Sequence, residues 1–152
     1  MKKIILTTIA ILLVIAACFS CGKNDKNCSC GEDSENNEFV SLEGTQWKLA
    51  GIMDVETCNL KELEPKDCGD CYTLEFNTDS TALGKSVINI IFLSLLPKAV
   101  MGTATEVYDN EIGDVQLSYD AMKTIVNCTV TENEIKFCCN DGKNYLLYRK
   151  YY

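Results

Sequence analysis

Apolar and polar residues alternate along most of the chain beyond residue 39, the pattern of strands that place one face on a core. The alternation is clear at Trp47 and Leu49, and again at Leu74 and Phe76 before a turn at Thr78-Asp79-Ser80. Further β-branched and aromatic segments, separated by turn residues, predict strands at 103–108, 115–119, 124–131, 134–139 and 145–150. Short strands at this spacing predict a mainly β domain, a small antiparallel barrel or sandwich with at most one or two short helices. A barrel is favoured because closing the sheet removes its exposed edges.

One apolar run interrupts this alternation. Residues 87–96 are almost entirely apolar and are followed by Pro97. The run is too short to cross a membrane, and it is consistent with either a buried strand or a short buried helix. Because Ile88, Ile91 and Leu95 share one helical face, we expect a helix near 88–96 that packs on the sheet. The alternative use of these side chains is to line a cavity for a hydrophobic ligand.

The first residues have the layout of a bacterial secretion signal. Lys2 and Lys3 precede an apolar run of sixteen residues, which is shorter than the roughly twenty residues of a membrane-spanning helix, the alternative interpretation. The segment Ile15-Ala16-Ala17-Cys18 resembles the lipobox of bacterial lipoproteins, in which a peptidase cuts before a cysteine that carries diacylglycerol. By that resemblance residues 1–17 form a lipoprotein signal peptide and Cys18 is the site of lipid attachment. Cys21 is the alternative attachment site.

The chain after the signal divides into a polar segment and one domain. Residues 18–38 are rich in Asn, Asp, Glu and Ser, have no apolar periodicity, and predict a flexible tether. Its Cys28 and Cys30 are expected to be paired or free, with binding of a soft metal as the alternative. Residues 39–152 form the predicted single β-rich domain. Removing 17 of the 152 residues leaves 135, the length of one ordinary domain.

Charge and composition restrict the possible functions. The net charge of the chain is −8 at pH 7, and removal of Lys2 and Lys3 leaves 12 basic and 22 acidic residues, a net charge of −10. Such a chain repels nucleic acid, so we expect no nucleic-acid partner. The sequence contains no histidine, which excludes Ser-His-Asp and Cys-His catalysis. The carboxylates form no recognisable catalytic pair, and we expect neither enzymatic activity nor a cofactor or metal.

Nine cysteines follow Cys18, and in an exported protein disulfides are the first expectation. In the predicted hairpin at Glu132-Asn133, a bridge from Cys128 to Cys138 or Cys139 depends on the strand register. A disulfide that closes such a short loop contributes roughly 2 to 3 kcal/mol. The candidate disulfide cysteines are Cys58, Cys68, Cys71, Cys128, Cys138 and Cys139.

Cys68 and Cys71 also have the spacing of a thioredoxin-type redox pair. That chemistry needs the first thiol at a helix N-terminus, whereas here Asp67 and Asp70 flank the pair and a predicted strand follows. A structural cross-link is therefore the expectation, and a thiol-disulfide redox module is the alternative. A zinc site of four thiolates, with Cys138 and Cys139 added to this pair, is a further alternative.

Four segments resemble small lipoproteins of the Bacteroidetes that are described as lipocalin-like or META-domain-like, with a calycin-like barrel. They are Trp47-Lys48-Leu49, residues 63–74 with their Cys-x-x-Cys, Gly84-x-Ser86-x-x-Asn89 and residues 144–148. The resemblance covers most of the chain from residue 42 and implies a compact antiparallel barrel, but no particular activity. By the same resemblance Asp79-Ser80-Thr81 matches an O-glycosylation pattern, so Ser80 is a candidate site; an ordinary turn is the alternative.

Together these patterns predict a lipid-anchored protein of the cell envelope. Since Phe19 rather than Asp follows Cys18, the resemblance favours the outer membrane, with the periplasmic or the outer face left open. The membrane would be contacted through the N-terminal lipid. The domain is expected to be a non-enzymatic binding or scaffolding module, and its partner an envelope protein or a small hydrophobic ligand.

Overall fold

The computed structural model describes residues 28–30, 40–95, 100–103 and 114–151. In these ranges the chain forms nine strands, one α-helix and a 3₁₀ turn at Asn140–Gly142. The strands are β1 (Gln46–Asp54), β2 (Leu60–Lys61), β3 (Thr73–Thr78), β4 (Thr81–Lys85), β5 (Ile90–Ser94), β6 (Val100–Thr103), β7 (Asn127–Val130), β8 (Glu134–Cys139) and β9 (Asn144–Lys150), and the helix is α1 (Val115–Lys123). The predicted signal segment, with Cys18 and the alternative Cys21, lies outside the described residues.

The strands form one antiparallel sheet in the order β6-β5-β4-β3-β1-β9-β8-β7, with β2 paired to the end of β1. The sheet is curled into a half-barrel, which confirms the prediction of a mainly β, antiparallel fold. Full closure, which we favoured, is not reached in the described ranges, where β6 and β7 are the two edges. The hairpin of β3 and β4 follows the predicted alternation, because Leu74 and Phe76 are buried while Glu75 and Asn77 are exposed.

The core lies on the concave side of the sheet. Its largest fully buried side chains come from five strands and are Trp47, Tyr148, Phe76, Phe137, Leu74, Ile91, Leu93, Ile135 and Leu146. Phe137 and Tyr148 pack edge to face with ring centres 5.6 Å apart. Helix α1 contacts β8 and β9 near one edge of the sheet and β6 at the other, so the curl of the sheet brings both edges to the helix. The helix therefore fills the concave side.

The predicted strand at 115–119 is wrong, since these residues begin α1. The alternation of Val115, Leu117 and Tyr119 suggests a strand, but Leu117 is 41% exposed. Burial instead follows helical spacing, with Val115, Ser118, Tyr119 and Met122 on the face that meets the sheet. A nine-residue segment carries too few periods for the sequence pattern alone to separate the two structures.

The predicted helix near 88–96 is also wrong. Residues Ile90–Ser94 form β5, which pairs residue by residue with β4. Ile91 and Leu93 point into the core, whereas Ile90 and Phe92 are 44% and 40% exposed on the outer face. Because both faces of this strand are apolar, the sequence shows no period of two. Hydrogen bonding to β4 therefore determines that this segment is a strand and not a helix.

The remaining strand predictions agree with the structure to different extents. The strand at 134–139 is confirmed as β8, and that at 145–150 is confirmed within β9. The segment 124–131 contains the shorter β7, which begins only at Asn127. Of the segment 103–108, Thr103 ends β6 and the rest lies outside the described residues.

Candidate functional site at the cysteine end of the half-barrel

One end of the sheet carries most of the unusual chemistry of the domain. At this end Asp54, the last residue of β1, pairs with Asn144, the first residue of β9. Asn144 also pairs with Cys139, the last residue of β8. We call this the cysteine end. The turn after β1 holds Cys58, and β8 holds Cys138, the residue before Cys139.

Two disulfides attach an N-terminal segment to the cysteine end. Cys28 is bonded to Cys58, and Cys30 is bonded to Cys138, each with Cα atoms 5.7 Å apart. Residues 28–30 lie within the segment predicted to be a flexible tether. They are therefore part of the domain surface by covalent attachment.

A second apolar cluster lies beneath this attachment on the outer face of the sheet. Four consecutive residues of β9, Tyr145–Tyr148, are buried, and since side chains alternate across a strand, both faces of β9 are covered. Leu146 and Tyr148 join the main core, whereas Tyr145 and Leu147 pack with Cys138. Half-buried side chains complete this cluster: Cys30, Ala50, Met53, Val55 and Leu60. The disulfide at Cys30 thus covers apolar surface as well as linking the chain.

The bridge expected between Cys128 and Cys138 or Cys139 is not formed in the structure. Cys128 lies opposite Phe137 in the hairpin of β7 and β8, which places Cys128 and Cys138 on opposite faces. Cys138 is bonded to Cys30, and Cys128 and Cys139 are thiols. Cys28 and Cys30, expected to be either paired or free, are both paired. Their polar segment has no strand pattern that would indicate which cysteines are their partners.

The two thiols are in environments that suppress reactivity. Burial raises the pKa of Cys128 to about 12, and burial raises that of Cys139 to about 11. The Cys139 sulfur also lies 3.4 Å from the carbonyl oxygen of Asn144. Nucleophilic and metal-binding cysteines need the thiolate, so neither thiol is suited to those roles.

The structure joins Cys68 and Cys71 by a disulfide in the loop before β3. Lys48 Nζ donates hydrogen bonds to the carbonyl oxygens of Cys68 at 2.6 Å, of Gly69 at 3.2 Å and of Cys71. Desolvation lowers the pKa of Lys48, opposed by the charge of Asp70. Strand β3, not a helix, follows the pair, so the setting is that of a cross-linked turn.

The metal alternatives use the same sulfur atoms. The sulfurs of Cys68 and Cys71 and a carboxylate oxygen of Asp70 lie within 4.8 Å of one another. Both sulfurs are consumed by the disulfide that joins them, and Cys138 is bonded to Cys30. Of the four cysteines in the suggested zinc site, Cys139 is a thiol and the other three are in disulfides.

A surface cleft of about 360 Å³ opens at the cysteine end between α1 and strands β1 and β2. Ile52, Leu117 and Ala121 supply apolar surface, and the polar side chains around them are Asp54, Lys61, Asp120, Asn140 and Asn144. Volumes of this size are at the lower end of the range found for small-molecule sites. This cleft is larger than the pocket of about 130 Å³ beside Lys48 and Leu63, and we take it as the candidate for ligand binding.

A buried polar contact fixes the helix beside this cleft. Tyr119 Oη donates to Ser86 Oγ at 2.9 Å, and the Ser86 N–H donates to the carbonyl oxygen of Asn89 at 2.9 Å. Ser86 and Asn89 are the polar residues of the Gly84-x-Ser86-x-x-Asn89 segment and are almost fully buried. This segment therefore shapes the turn between β4 and β5 and anchors α1.

Ser80, the candidate glycosylation residue, lies in the turn between β3 and β4 and is half-buried. The preceding Asp79 carboxylate accepts hydrogen bonds from the Ser41 hydroxyl and from the N–H groups of Leu42 and Glu43. Asp79 thus joins the start of the domain to this hairpin. Glycosylation of Ser80 stays a prediction.

Comparison with known proteins gives one informative relative. A protein of Tannerella forsythia named "Putative lipoprotein" is 35% identical over 149 residues, which are 98% of this chain and 97% of the relative. The chain belongs to this lipoprotein family. Family membership associates the protein with the cell envelope. No protein-family profile and no solved structure matches the chain.

The alignment to the lipoprotein of T. forsythia spans almost the whole chain, so the similarity is not confined to the half-barrel. Among the described residues, no helix has the length and apolar character needed to span a bilayer.

Proposed function

We propose that this protein is an outer-membrane lipoprotein, anchored through lipid on Cys18, whose half-barrel is a non-enzymatic binding or scaffolding module. The observation that carries the proposal is the attachment of Cys28 and Cys30 to the domain. Disulfides persist in oxidising compartments, which indicates an exported protein. Cys28 and Cys30 follow Cys18 by only ten and twelve positions. The lipoprotein relative supports association with the cell envelope.

A non-enzymatic role is supported by the state of the candidate catalytic groups. The chain has no histidine. Burial raises the pKa of both described thiols, and the described cysteines apart from these two are in disulfides. Without a histidine base, and with no thiolate among the described residues, the domain is better suited to binding than to group transfer.

We propose the cleft at the cysteine end as the binding site. The concave side, where lipocalin-like proteins would hold a ligand, is occupied by α1 and by large core side chains such as Trp47 and Phe76. The curled antiparallel sheet is consistent with a lipocalin-like or META-like domain. A small hydrophobic ligand with polar substituents would place its apolar part against Leu117 and its polar groups against Asp54 and Lys61.

Fatty-acid labelling in cells tests the anchor. Radiolabelled palmitate should be incorporated into the wild type and into Cys21→Ala, and should be lost in Cys18→Ala. The Cys21→Ala variant is the matched control, since it removes the neighbouring cysteine and leaves the lipobox intact. Incorporation that persists in Cys18→Ala would disprove attachment at this residue. Fractionation of the labelled protein then separates outer from inner membrane.

The second candidate function is thiol-disulfide exchange by Cys68 and Cys71, which the structure joins in a loop. Insulin reduction by the purified protein measures it, with Cys68→Ser as the control. We expect no activity above that of Cys68→Ser. Activity that disappears in Cys68→Ser would establish the redox function in place of binding.

A further inference from the structure

We infer that the Cys28–Cys58 and Cys30–Cys138 disulfides shorten the tether, so that the cysteine end of the half-barrel is held next to the membrane. The inference rests on the proposed lipid at Cys18. It concerns the orientation of the domain, which the presence of an anchor alone does not specify.

The number of residues between the lipid and the domain determines the reach of the tether. Without the disulfides, 22 peptide units separate Cys18 from Val40, where the continuous domain begins. With Cys28 bonded to Cys58, only ten separate the lipid from the domain surface. At about 3.5 Å per residue, the maximal reach falls from roughly 77 Å to roughly 35 Å.

The second disulfide bonds Cys30 to β8, and the described chain resumes at Val40 in the same domain. Residues 31–39 therefore connect two points of one domain along the chain. The pull of the anchor is therefore transmitted through Cys28 to the turn after β1, and not through residues 31–39. Either disulfide alone is sufficient to keep the N-terminal segment attached.

The position of Cys58 determines which end faces the bilayer. Cys58 follows β1 by four residues, and Asp54, the last residue of β1, lines the cleft. The cleft is thus at the end of the domain that is bound to the short tether. A ligand or partner of the cleft must accordingly be available within a few tens of ångströms of the membrane that holds the lipid.

Formation of each disulfide follows thiol-disulfide exchange. Two cysteine thiols of this chain give up two protons and two electrons to the disulfide of an oxidising partner protein, which becomes a dithiol. A dithiol reductant reverses the reaction and restores the longer tether.

A cleavable connection tests this covalent arrangement in the full chain. A recognition sequence for a site-specific protease is inserted between Asp33 and Ser34, and membranes carrying the protein are treated with the protease. We expect cleavage to be complete while the domain stays on the membrane, and dithiothreitol to release it. Release of the cleaved wild type without reductant would overturn the inference.

Cysteine variants and a lipid-free form complete the experiment. The Cys28→Ser/Cys30→Ser variant should release its domain on cleavage without reductant, whereas Cys28→Ser and Cys30→Ser singly should not. In a Cys18→Ala form with a peptide tag after Ser20, the tag should remain on the cleaved domain until reduction. This form needs no lipid, so the two ways to fail give different results. If only the lipid anchor is wrong, membrane retention is lost but the tag stays on the cleaved domain. If the disulfide attachment is wrong, the tag separates from the cleaved domain without reductant.

Discussion

Cys30 and Cys138, 108 positions apart in the chain, are joined by a disulfide with their Cα atoms 5.7 Å apart. The bond brings a polar segment near the N-terminus onto the outer face of β8. There Cys30 packs with Tyr145 and Leu147, whose burial on the outer face would otherwise be incomplete. A single link thus positions the tether and completes the second apolar cluster.

The first prediction concerns the energy of this link. In the chain-entropy description, a disulfide that closes a loop of about 100 residues stabilises a protein by roughly 4 to 5 kcal/mol. Cys30→Ser/Cys138→Ser should lower the free energy of unfolding by about that amount in urea titrations. Cys68→Ser/Cys71→Ser, which removes a bridge between cysteines only three positions apart, is the matched control and should cost roughly a third as much. Equal losses would contradict this assignment.

The second prediction compares two buried tyrosines. The Tyr148 hydroxyl is fully buried, and no hydrogen-bond partner for it lies among the described residues, whereas Tyr119 donates to Ser86. Tyr148→Phe removes an unsatisfied polar group and should leave stability unchanged or raise it by about 1 kcal/mol. Tyr119→Phe should lower it by about 1 kcal/mol. Thermal and urea unfolding measure both, and a loss in Tyr148→Phe as large as that in Tyr119→Phe would refute the expectation.

The third prediction concerns a glycine in the core. A Cβ atom at Gly84 would lie 2.6 Å from the carbonyl oxygen of Thr73 and 2.7 Å from the Leu74 side chain, closer than real contacts allow. Gly84→Ala should therefore destabilise the domain by about 1 to 3 kcal/mol, the usual cost of overpacking. Gly69→Ala, with open space around its Cβ, is the control and should unfold like the wild type. The free energy of unfolding in urea measures both variants, and equal values for Gly84→Ala and Gly69→Ala would contradict the prediction.

The fourth prediction is a pH dependence caused by the thiols. Unfolded cysteines lose their protons above about pH 8.5, whereas burial keeps Cys139 protonated to a pKa of about 11 and Cys128 to about 12. The unfolded state binds fewer protons in this interval, so stability should fall as the pH rises from 8 to 9.5. Cys128→Ala/Cys139→Ala should show a shallower fall in urea titrations. Identical slopes would show that the thiols are not the cause.

Chemical modification is a second readout of the fourth prediction. Cys139 is fully buried, whereas Cys128 is half-buried. Iodoacetamide at pH 8 should leave Cys139 unlabelled in the native protein and label it in urea, as mass spectrometry of non-reduced digests measures. Rapid labelling of Cys139 in the native state would contradict its burial.

The fifth prediction concerns the carboxylate at the β3–β4 turn. The Ser41 hydroxyl first, and then the Leu42 and Glu43 N–H groups, donate hydrogen bonds that lower the pKa of Asp79. Its contribution to stability is therefore present above the ordinary aspartate pKa and is lost as the pH falls through the lowered value. Asp79→Asn should decrease the melting temperature at pH 7 and have a smaller effect near pH 2.

Asp67→Asn is the control for the fifth prediction, since it removes one negative charge from another exposed turn. Its melting temperature at pH 7 should be close to that of the wild type. If the two variants melt alike, general charge reduction and not the hydrogen bonds of Asp79 would explain the loss.

The sequence by itself determined the strands with one polar and one apolar face. In β3, Leu74 and Phe76 alternate with polar residues, so local side-chain chemistry indicates both the strand and its buried face. The same is true of Ile135 and Phe137 in β8. The apolar start and Cys18 likewise form a local pattern, so the sequence predicts a lipid anchor at Cys18, and this anchor stays a prediction.

Only the tertiary structure decided the remaining features, because each depends on partners distant in the chain. Strand β5 is apolar on both faces, and its pairing with β4 determined its conformation. Helix α1 gained its buried face only inside the curled sheet. The cysteine pairs depend on which sulfur atoms the fold brings together, and spacing along the chain does not contain that distance. The attachment of the tether at Cys58 and Cys138 is therefore a property of the folded protein.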